Sequence, residues 1–469
     1  MKKQTVLQLT IDSLNKKGNG AGMAIRGETT CKVEVPFSMP GDQVQTTINR
    51  KRSGVYSGRL EELIVPSPQR IAHRCLHFGD CGGCRWQHIS YSQQLEIKRT
   101  RLSDLFRPLI DPSSIPAVFP CDPPWNHRNK MEFTFSQNKA GERFLGLIKN
   151  GSQGKVLNLL ECHLTNPWMV DLIKKMRQWW EISSLEAFNP HKNTGSLRYL
   201  TVREGMRTGD RMVILTVSGN PLYALRKDHL RSFVELMKET FMPEQGELSL
   251  FLKIHQALPG QKTQFFEMHL HGPTTLREKM LIEDGENRHE LLFYISPAAF
   301  FQPNTYQAEK LYSLALQKAQ ITKEDLVYDL YCGTATLAIC AAKTAREVVG
   351  IEISPEAVLD GKENVKANGL NNVTIRQGDV GLILKQLQIK PDVVFVDPPR
   401  VGLMAEAIEA LLTLKPKKIV YISCNPATQK ENIDLLVQGG YRLVEICPVD
   451  QFPHTVHLEN IAVLERNDV

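Results

Sequence analysis

The chain has 469 residues, 42% of them hydrophobic and 23% charged, with a formal net charge of +6. That length exceeds one ordinary core and predicts two to four domains, while the composition fits a soluble enzyme, and no apolar run approaches the roughly 20 residues of a membrane span. Met1-Lys2-Lys3-Gln4-Thr5-Val6 opens without an apolar signal region, so cytoplasmic residence is expected, where ten cysteines point to metal binding or chemistry rather than disulfides.

From Gln4 to Val65, alternating runs such as Val33-Glu34-Val35 and Val44-Gln45-Thr46 are separated by Gly18-Asn19-Gly20, Pro40-Gly41-Asp42 and Ser53-Gly54. The pattern predicts a small closed β-barrel over residues 1–65. Gly18, Gly20 and Gly22 read as turn glycines rather than a phosphate loop, because no Lys-Ser/Thr follows and no helix opens. Arg50-Lys51-Arg52 and Arg59 suit either a nucleic-acid backbone or a solvated basic loop.

Pro66-Ser67-Pro68 closes that unit, and a mixed α+β domain is expected over 66–295. Cys75, Cys81 and Cys84 form a C-x5-C-x2-C pattern in which Gly82-Gly83 permits three thiolates to converge, and Cys162 can supply a fourth. Four thiolates suit zinc or an iron–sulfur cluster, and spacing leaves both open. The isolated Cys31, Cys121, Cys332, Cys340 and Cys447 read as core or incidental. A helix is expected over Met169 to Glu181, with strands at Leu197 to Val202 and Met212 to Val217. Basic and aromatic residues interleave in Trp125-Asn126-His127-Arg128-Asn129-Lys130 and again from Ser196 to Arg203, a composition that suits an RNA surface as well as ordinary surface charge.

Regular β–α alternation begins near Leu326, within a third domain expected over 296–469. Leu326 to Leu330 runs into the turn Tyr331-Cys332-Gly333-Thr334-Ala335, and Glu347 to Ile351 ends in Glu352. A glycine turn followed about 20 residues later by an acid holds a nucleoside through its ribose hydroxyls. NAD is a weaker fit than S-adenosylmethionine, since a full G-x-G-x-x-G and its pyrophosphate cradle are missing. Two further β-branched runs end in Asp397-Pro398-Pro399-Arg400 and Ser423-Cys424-Asn425-Pro426, which places a carboxylate and a thiol at neighbouring strand ends. His457-Leu458-Glu459 opens the last apolar run. A thiol and a methyl donor over one sheet suit the methylation of pyrimidine C5, because a thiolate adding to C6 makes C5 nucleophilic and a base then removes the C5 proton. Cys424 is the candidate nucleophile and Glu459 the candidate base.

In this order Phe300-Phe301-Gln302-Pro303-Asn304, Asp329-Leu330-Tyr331-Cys332-Gly333, Asp397-Pro398-Pro399-Arg400, Ser423-Cys424-Asn425-Pro426 and His457-Leu458-Glu459 resemble the RNA uracil-5-methyltransferases, among them the iron–sulfur 23S ribosomal RNA type. The resemblance spans nearly the whole chain. It implies an OB-like TRAM domain at the N-terminus, a 4Fe-4S cluster on Cys75, Cys81, Cys84 and Cys162, and a C-terminal class I, Rossmann-like methyltransferase domain. It also implies a cofactor pocket formed by Gln302, Tyr331, Thr336, Glu352 and Asp397, a covalent role for Cys424, Glu459 as base, and a monomer acting on RNA. Thr334-Ala335-Thr336 stands where the family often has a glycine and then an asparagine, so methyl groups are expected to crowd the cofactor there. A cytosine-5 methyltransferase is the nearest rival, but would carry a cysteine at Arg400. Amino-group methylation would favour an aromatic there. A non-catalytic RNA-binding protein would be supported only by the altered turn.

Overall fold

The computed structural model describes residues 5–467 except 242–245, 258–259, 286 and 388, and excludes the side chains of residues 49 and 50. The side chain of Arg50, part of the basic run read from the sequence, therefore lies outside the described residues.

Six strands between Thr5 and Val65 form one sheet, antiparallel except where Thr29–Val35 meets Val55–Val65. Its core takes every second residue, as in Leu7, Leu9 and Ile11 or Val33 and Val35, which is the period a half-buried strand imposes. The sheet rolls over on itself: a Cβ on Gly22 would fall 2.1 Å from the Thr10 carbonyl oxygen, so only glycine lets the strands cross there. Gly18 occupies a left-handed turn, and its carbonyl accepts a hydrogen bond from Trp86 Nε1 at 3.0 Å. Gly18 thus serves a turn as expected, whereas Gly20 and Gly22 lie within the strand Gly20–Arg26 and serve close packing.

A second sheet of six strands has the spatial order Gln264–His271, Leu248–Gln256, Arg211–Ser218, Leu197–Glu204, Lys130–Gln137 and Arg143–Gly146. The helix Pro167–Ile182 begins with proline at its first turn and presents Met169, Ile173, Met176 and Trp180 at helical spacing to that sheet. Phe233 and Met237 of the helix Lys227–Thr240 complete the same core.

The third sheet is built from β1 (Leu326–Leu330), β2 (Glu347–Glu352), β3 (Val373–Gln377), β4 (Val393–Val396), β5 (Lys418–Ser423), β6 (Tyr441–Val449) and β7 (Glu459–Arg466). Their order is β3-β2-β1-β4-β5-β7-β6, parallel except for β7, which runs antiparallel to both neighbours. Order reverses between β1 and β4, so the carboxyl ends of these two strands leave a crevice for a ligand. The hairpin Leu276–Asp284/Asn287–Ile295 packs Met280, Ile282, Leu291 and Phe293 into one core with Leu311 of the helix Thr305–Ala319 and Val420 of β5.

The segment following the cysteine run joins the three sheets. Trp86 and Ile89 are buried with Met39, in the loop between the strands Thr29–Val35 and Gln43–Arg52, and lie against Val456. The helix Tyr91–Phe106 inserts Leu102 and Phe106 beside Ile433 and Leu436 under the third sheet. Lys98, wholly buried on that helix, is ion-paired to Asp450 at 2.6 Å, and Tyr91 donates to the other Asp450 oxygen at 2.9 Å.

Candidate functional site

Strand ends supply most of the site. Tyr331 follows β1, Glu352 ends β2, Asp397 follows β4, Cys424 follows β5 and Glu459 opens β7. Gln302 comes from the loop before Thr305–Ala319, where its carbonyl accepts from Asn129 Nδ2 at 2.8 Å. All of these, together with Thr336, line one cavity of about 1330 Å3. The seven residues singled out in the sequence for catalysis and cofactor binding are thus assembled in one place.

The thiol and the last acid are held by cross-strand bonds. Ser423 lies opposite Asn460 in the β5–β7 register. Gln429 Nε2 donates to the carbonyls of Tyr421 at 2.7 Å and Asn460 at 3.2 Å, and Asn460 Nδ2 returns a bond to Gln429 Oε1 at 2.7 Å. The Pro-Pro-Arg loop is tied to the same helix start, because the Arg400 carbonyl accepts from Asn425 Nδ2 at 3.0 Å and Thr428 Oγ1 at 3.2 Å. Cys424 and Arg400 are therefore positioned by one set of bonds.

Buried acids dominate the electrostatics. Burial raises Asp397 to about 7. Asp329 is raised well above the ordinary carboxylate range by burial and then by Asp397, and one of its oxygens has no hydrogen-bond partner among the described residues. Glu459 is likewise raised by burial and by Asp397, while Arg400 pulls it down. The Cys424 thiol is raised by burial and by Glu459, and Arg400 opposes this through its charge and a hydrogen bond. Low dielectric and like charge favour neutral groups, and one guanidinium favours the thiolate. In the sequence Arg400 counts as part of a motif and as the absence of a cysteine or an aromatic, and no local signal gives it this electrostatic part.

The nucleoside end fits its expected ligand. Glu352 accepts from the Gly333 amide at 3.0 Å and the Ser354 amide at 2.8 Å, which orients its carboxylate at the cavity wall. Nothing lies within 4 Å of the position a Gly333 Cβ would take. The partnerless Asp329 oxygen is a further polar group at this wall. The turn expected to crowd the cofactor is divided: Thr334 and Thr336 line the cavity, and Ala335 does not. Ala335, in a left-handed conformation at φ 63°, is fully buried and absent from the cavity lining, and its methyl lies 3.3 Å from where a Cβ would stand on Gly361. The methyl turns away from the cofactor space because residue 361 has no side chain. Thr334 and Thr336 pair their hydroxyls at 3.2 Å.

Cys75, Cys81, Cys84 and Cys162 line a separate cavity of about 110 Å3 with His77 and Arg128, and all four are free thiols. Burial pushes Cys75 up to about 11 and Cys84 up to about 12, and the neighbouring thiols act on both in the same direction. Among the described residues, no three His, Cys, Asp or Glu side chains are set to hold a single metal ion together. The basic and aromatic run from Trp125 to Lys130 is largely internal rather than an open surface. Trp125 stacks on His454 at 3.8 Å, and His127 and Asn129 are buried. Arg203 is buried too, donating to the carbonyls of Ser296 and Ala299. Arg203 thus braces the loop before Phe300 and Asn129 the loop after it, through bonds to Gln302, Pro303 and Thr305, an interior use that local composition does not reveal.

A profile of the tRNA (uracil-5-)-methyltransferase family matches residues 274–467. An uncharacterized RNA methyltransferase of Protochlamydia amoebophila is 51% identical, covering 92% of this chain and 99% of its own. Another, from Caldanaerobacter subterraneus, is 30% identical over 100% of both chains. The crystal structure of Pyrococcus abyssi tRNA (uracil-54, C5)-methyltransferase in complex with S-adenosyl-L-homocysteine aligns with a TM-score of 0.73 at 25% identity, covering 97% of this chain and 100% of that one.

Proposed function

From its membership of the RNA uracil-5-methyltransferase family, whose enzymes use S-adenosylmethionine, we propose that this chain methylates C5 of a specific uridine in RNA through a covalent adduct on Cys424. The sequence resemblance to the iron–sulfur type favours 23S ribosomal RNA as the substrate, whereas the matching family profile and solved structure are named for transfer RNA. The single observation that carries the reading is the convergence of Cys424, Glu459, Asp397 and Arg400 on one cavity. When bound, S-adenosylmethionine supplies an electrophilic methyl group, and Gln302, Tyr331, Thr336, Glu352 and Asp397 are the residues to hold it. Cys424 Sγ bonds to C6 of the uracil, and the electron pair shifted towards O4 makes C5 nucleophilic. Arg400 favours the thiolate required for that attack. Once C5 carries the methyl, Glu459 takes the C5 proton and the Sγ–C6 bond breaks, restoring the thiol nucleophile. Burial keeps Glu459 a strong enough base for this step, provided that it enters ionised, and Arg400 is the cation that favours ionisation.

Four thiolates would equally suit zinc, and the four cysteines that line one cavity are read as the ligands of a 4Fe-4S cluster, the group that the family resemblance implies. We assign it a structural role, because methyl transfer from a sulfonium moves no net electrons to or from a metal. The rolled N-terminal sheet is read as a TRAM-like RNA-binding barrel over 1–65, followed by a central domain over 66–295 and a methyltransferase domain over 296–469. The protein is read as a cytoplasmic monomer. Labelled S-adenosylmethionine offered with unmodified 23S ribosomal RNA and with unmodified transfer RNA tests the assignment. The label should map to 5-methyluridine in the ribosomal RNA; labelling of transfer RNA alone would reassign the substrate, and labelled cytidine would overturn the chemistry.

A further inference from the structure

The outer strand of the central sheet reaches the catalytic cavity. From it we infer that one face of Leu248–Gln256 and Gln264–His271 is a stacking platform for the single-stranded RNA flanking the target uridine, an inference that rests on the function proposed above. Register places Lys253 opposite Glu267 and His255 opposite Phe265, so these four side chains share one face. Lys253, Phe265 and Glu267 line the same cavity as Cys424.

Geometry on this face suits unpaired bases. The His255 and Phe265 rings lie 4.7 Å apart, and Lys253 Nζ stands 4.9 Å from the Phe265 centroid while bonded to Glu267 at 3.1 Å. An aromatic ring flanked by a cation offers a base a face and its phosphate a charge. Positive charge gathers behind it. Lys130 is pushed down to about 8 by burial and then by Arg203, with Lys253 adding to the effect.

Exposure and space point the same way. Phe265 is 53% exposed on this face, on a strand whose outer edge has no partner among the described residues. Chains ordinarily blunt such an edge with charge or proline, so an apolar one that opens into a catalytic cavity marks a binding surface. The cavity, at about 1330 Å3, exceeds the roughly 300–1000 Å3 of a site for one small ligand. It has room for a methyl donor, the target base and a neighbouring nucleotide. Addition of a protein strand would cover the edge backbone but would leave the continuity with Cys424 without a purpose.

The probe is a fluorescein-labelled oligouridylate of about 12 nucleotides, the scale of one single-strand site, read by anisotropy with the full-length protein. Phe265→Ala should weaken binding about 5- to 100-fold, the loss of one base–aromatic stack, while Phe265→Trp restores it and S-adenosylhomocysteine binding is unchanged. A 5-iodouridine version of the probe should photocrosslink to Phe265. Affinity within about twofold of the parent, or crosslinks that all map to other strands, would overturn the inference. A change of oligomeric state with unchanged RNA affinity would do so as well, marking the edge as a contact between chains. Failure of the methylation reading is distinguishable: the protein would then bind the probe through Phe265 yet modify no RNA.

Discussion

Cys424 and Glu459 are cross-strand neighbours by register: Ser423 lies opposite Asn460 in the antiparallel pair β5–β7, and one residue further along each strand stand the thiol and the carboxyl. The proposed nucleophile and base, 35 positions apart in the chain, are thereby set at one end of a strand pair, with Gln429 bonding both strands. The two substitutions should accordingly have different signatures. Cys424→Ala should abolish turnover while leaving RNA binding intact. Glu459→Gln should reduce turnover about 10²- to 10⁴-fold and accumulate a protein–RNA species stable to denaturation, because the C5 proton loses its acceptor after the adduct has formed. Gel analysis with labelled RNA checks this, and normal release of 5-methyluridine by Glu459→Gln would assign the base elsewhere.

Arg400 should set the pH dependence of the nucleophile. Its cation and hydrogen bond lower the Cys424 thiol against the upward pull of burial and Glu459. Removing the cation in Arg400→Gln raises the thiol further, so less thiolate is present at any pH below the new value. Iodoacetamide labelling of the Cys424 peptide should move to higher pH and, below the thiol's own range, slow about tenfold for every pH unit by which the thiol rises. Arg400→Lys should recover part of the rate. A profile that moved to lower pH would mean that Arg400 does not face the thiol.

Much of this site was legible because strand ends carry a local signature. Asp397 and Cys424 each follow a β-branched run that stops in proline or asparagine turn chemistry, and their proximity follows from β4 and β5 pairing in parallel. What was not legible depended on long-range packing. Lys98 sits in a helix whose sequence is polar, so nothing local distinguishes it from a surface lysine, yet its ammonium is buried on Asp450. Gln264–His271 has the apolar content of an interior strand, and only its edge position leaves Phe265 and Phe266 exposed. The effect of Thr334-Ala335-Thr336 could not be judged without knowing that Gly361 stands across from Ala335.

That last contact is open to a double-mutant cycle. Ala335 adopts φ 63° and ψ 27° at the start of the helix Thr336–Ala341, a conformation about 1–2 kcal/mol unfavourable for a residue with a Cβ. Ala335→Gly should change stability by less than about 1 kcal/mol, because relief of the left-handed strain is offset by the entropy of glycine in the unfolded chain and by loss of a buried methyl. Gly361→Ala should destabilise, since its Cβ would meet Ile375 Cδ1 at 2.8 Å and Ala335 Cβ at 3.3 Å. The double variant should recover part of that loss. Denaturant melts give the coupling, and strict additivity would show that the two positions do not touch.

The buried pair Lys98–Asp450 should matter through what one partner leaves behind. Burial lowers the Lys98 ammonium while Asp450 supports it. Lys98→Met leaves a buried carboxylate without its cation and should destabilise by about 3–5 kcal/mol. Lys98→Met with Asp450→Asn should restore most of the loss, because no uncompensated charge remains. Thermal melts of the three variants decide this. Equal destabilisation of the single and double variants would make the effect one of packing alone.

The cluster assigned to Cys75, Cys81, Cys84 and Cys162 should stabilise the approach to Glu459 rather than take part in the reaction. Immediately after Cys84, the amides of Arg85 and Trp86 both donate to the His454 carbonyl, at 2.8 and 3.1 Å, and Trp86 is buried against Val456. The segment that precedes Glu459 is therefore anchored on the cysteine loop. A bridge from that loop to Cys162 closes a long stretch of chain and lowers the entropy of the unfolded state. Anaerobically purified protein should be brown with about four irons per chain, the content of a four-thiolate 4Fe-4S centre. Oxidative removal of the cluster should lower the melting temperature and weaken RNA binding, while S-adenosylhomocysteine binding at Glu352, on the far side of the sheet switch point, persists. Stoichiometric zinc without iron would replace the cluster assignment. Loss of turnover with folding stability and RNA affinity unchanged would instead place the cluster in the chemistry.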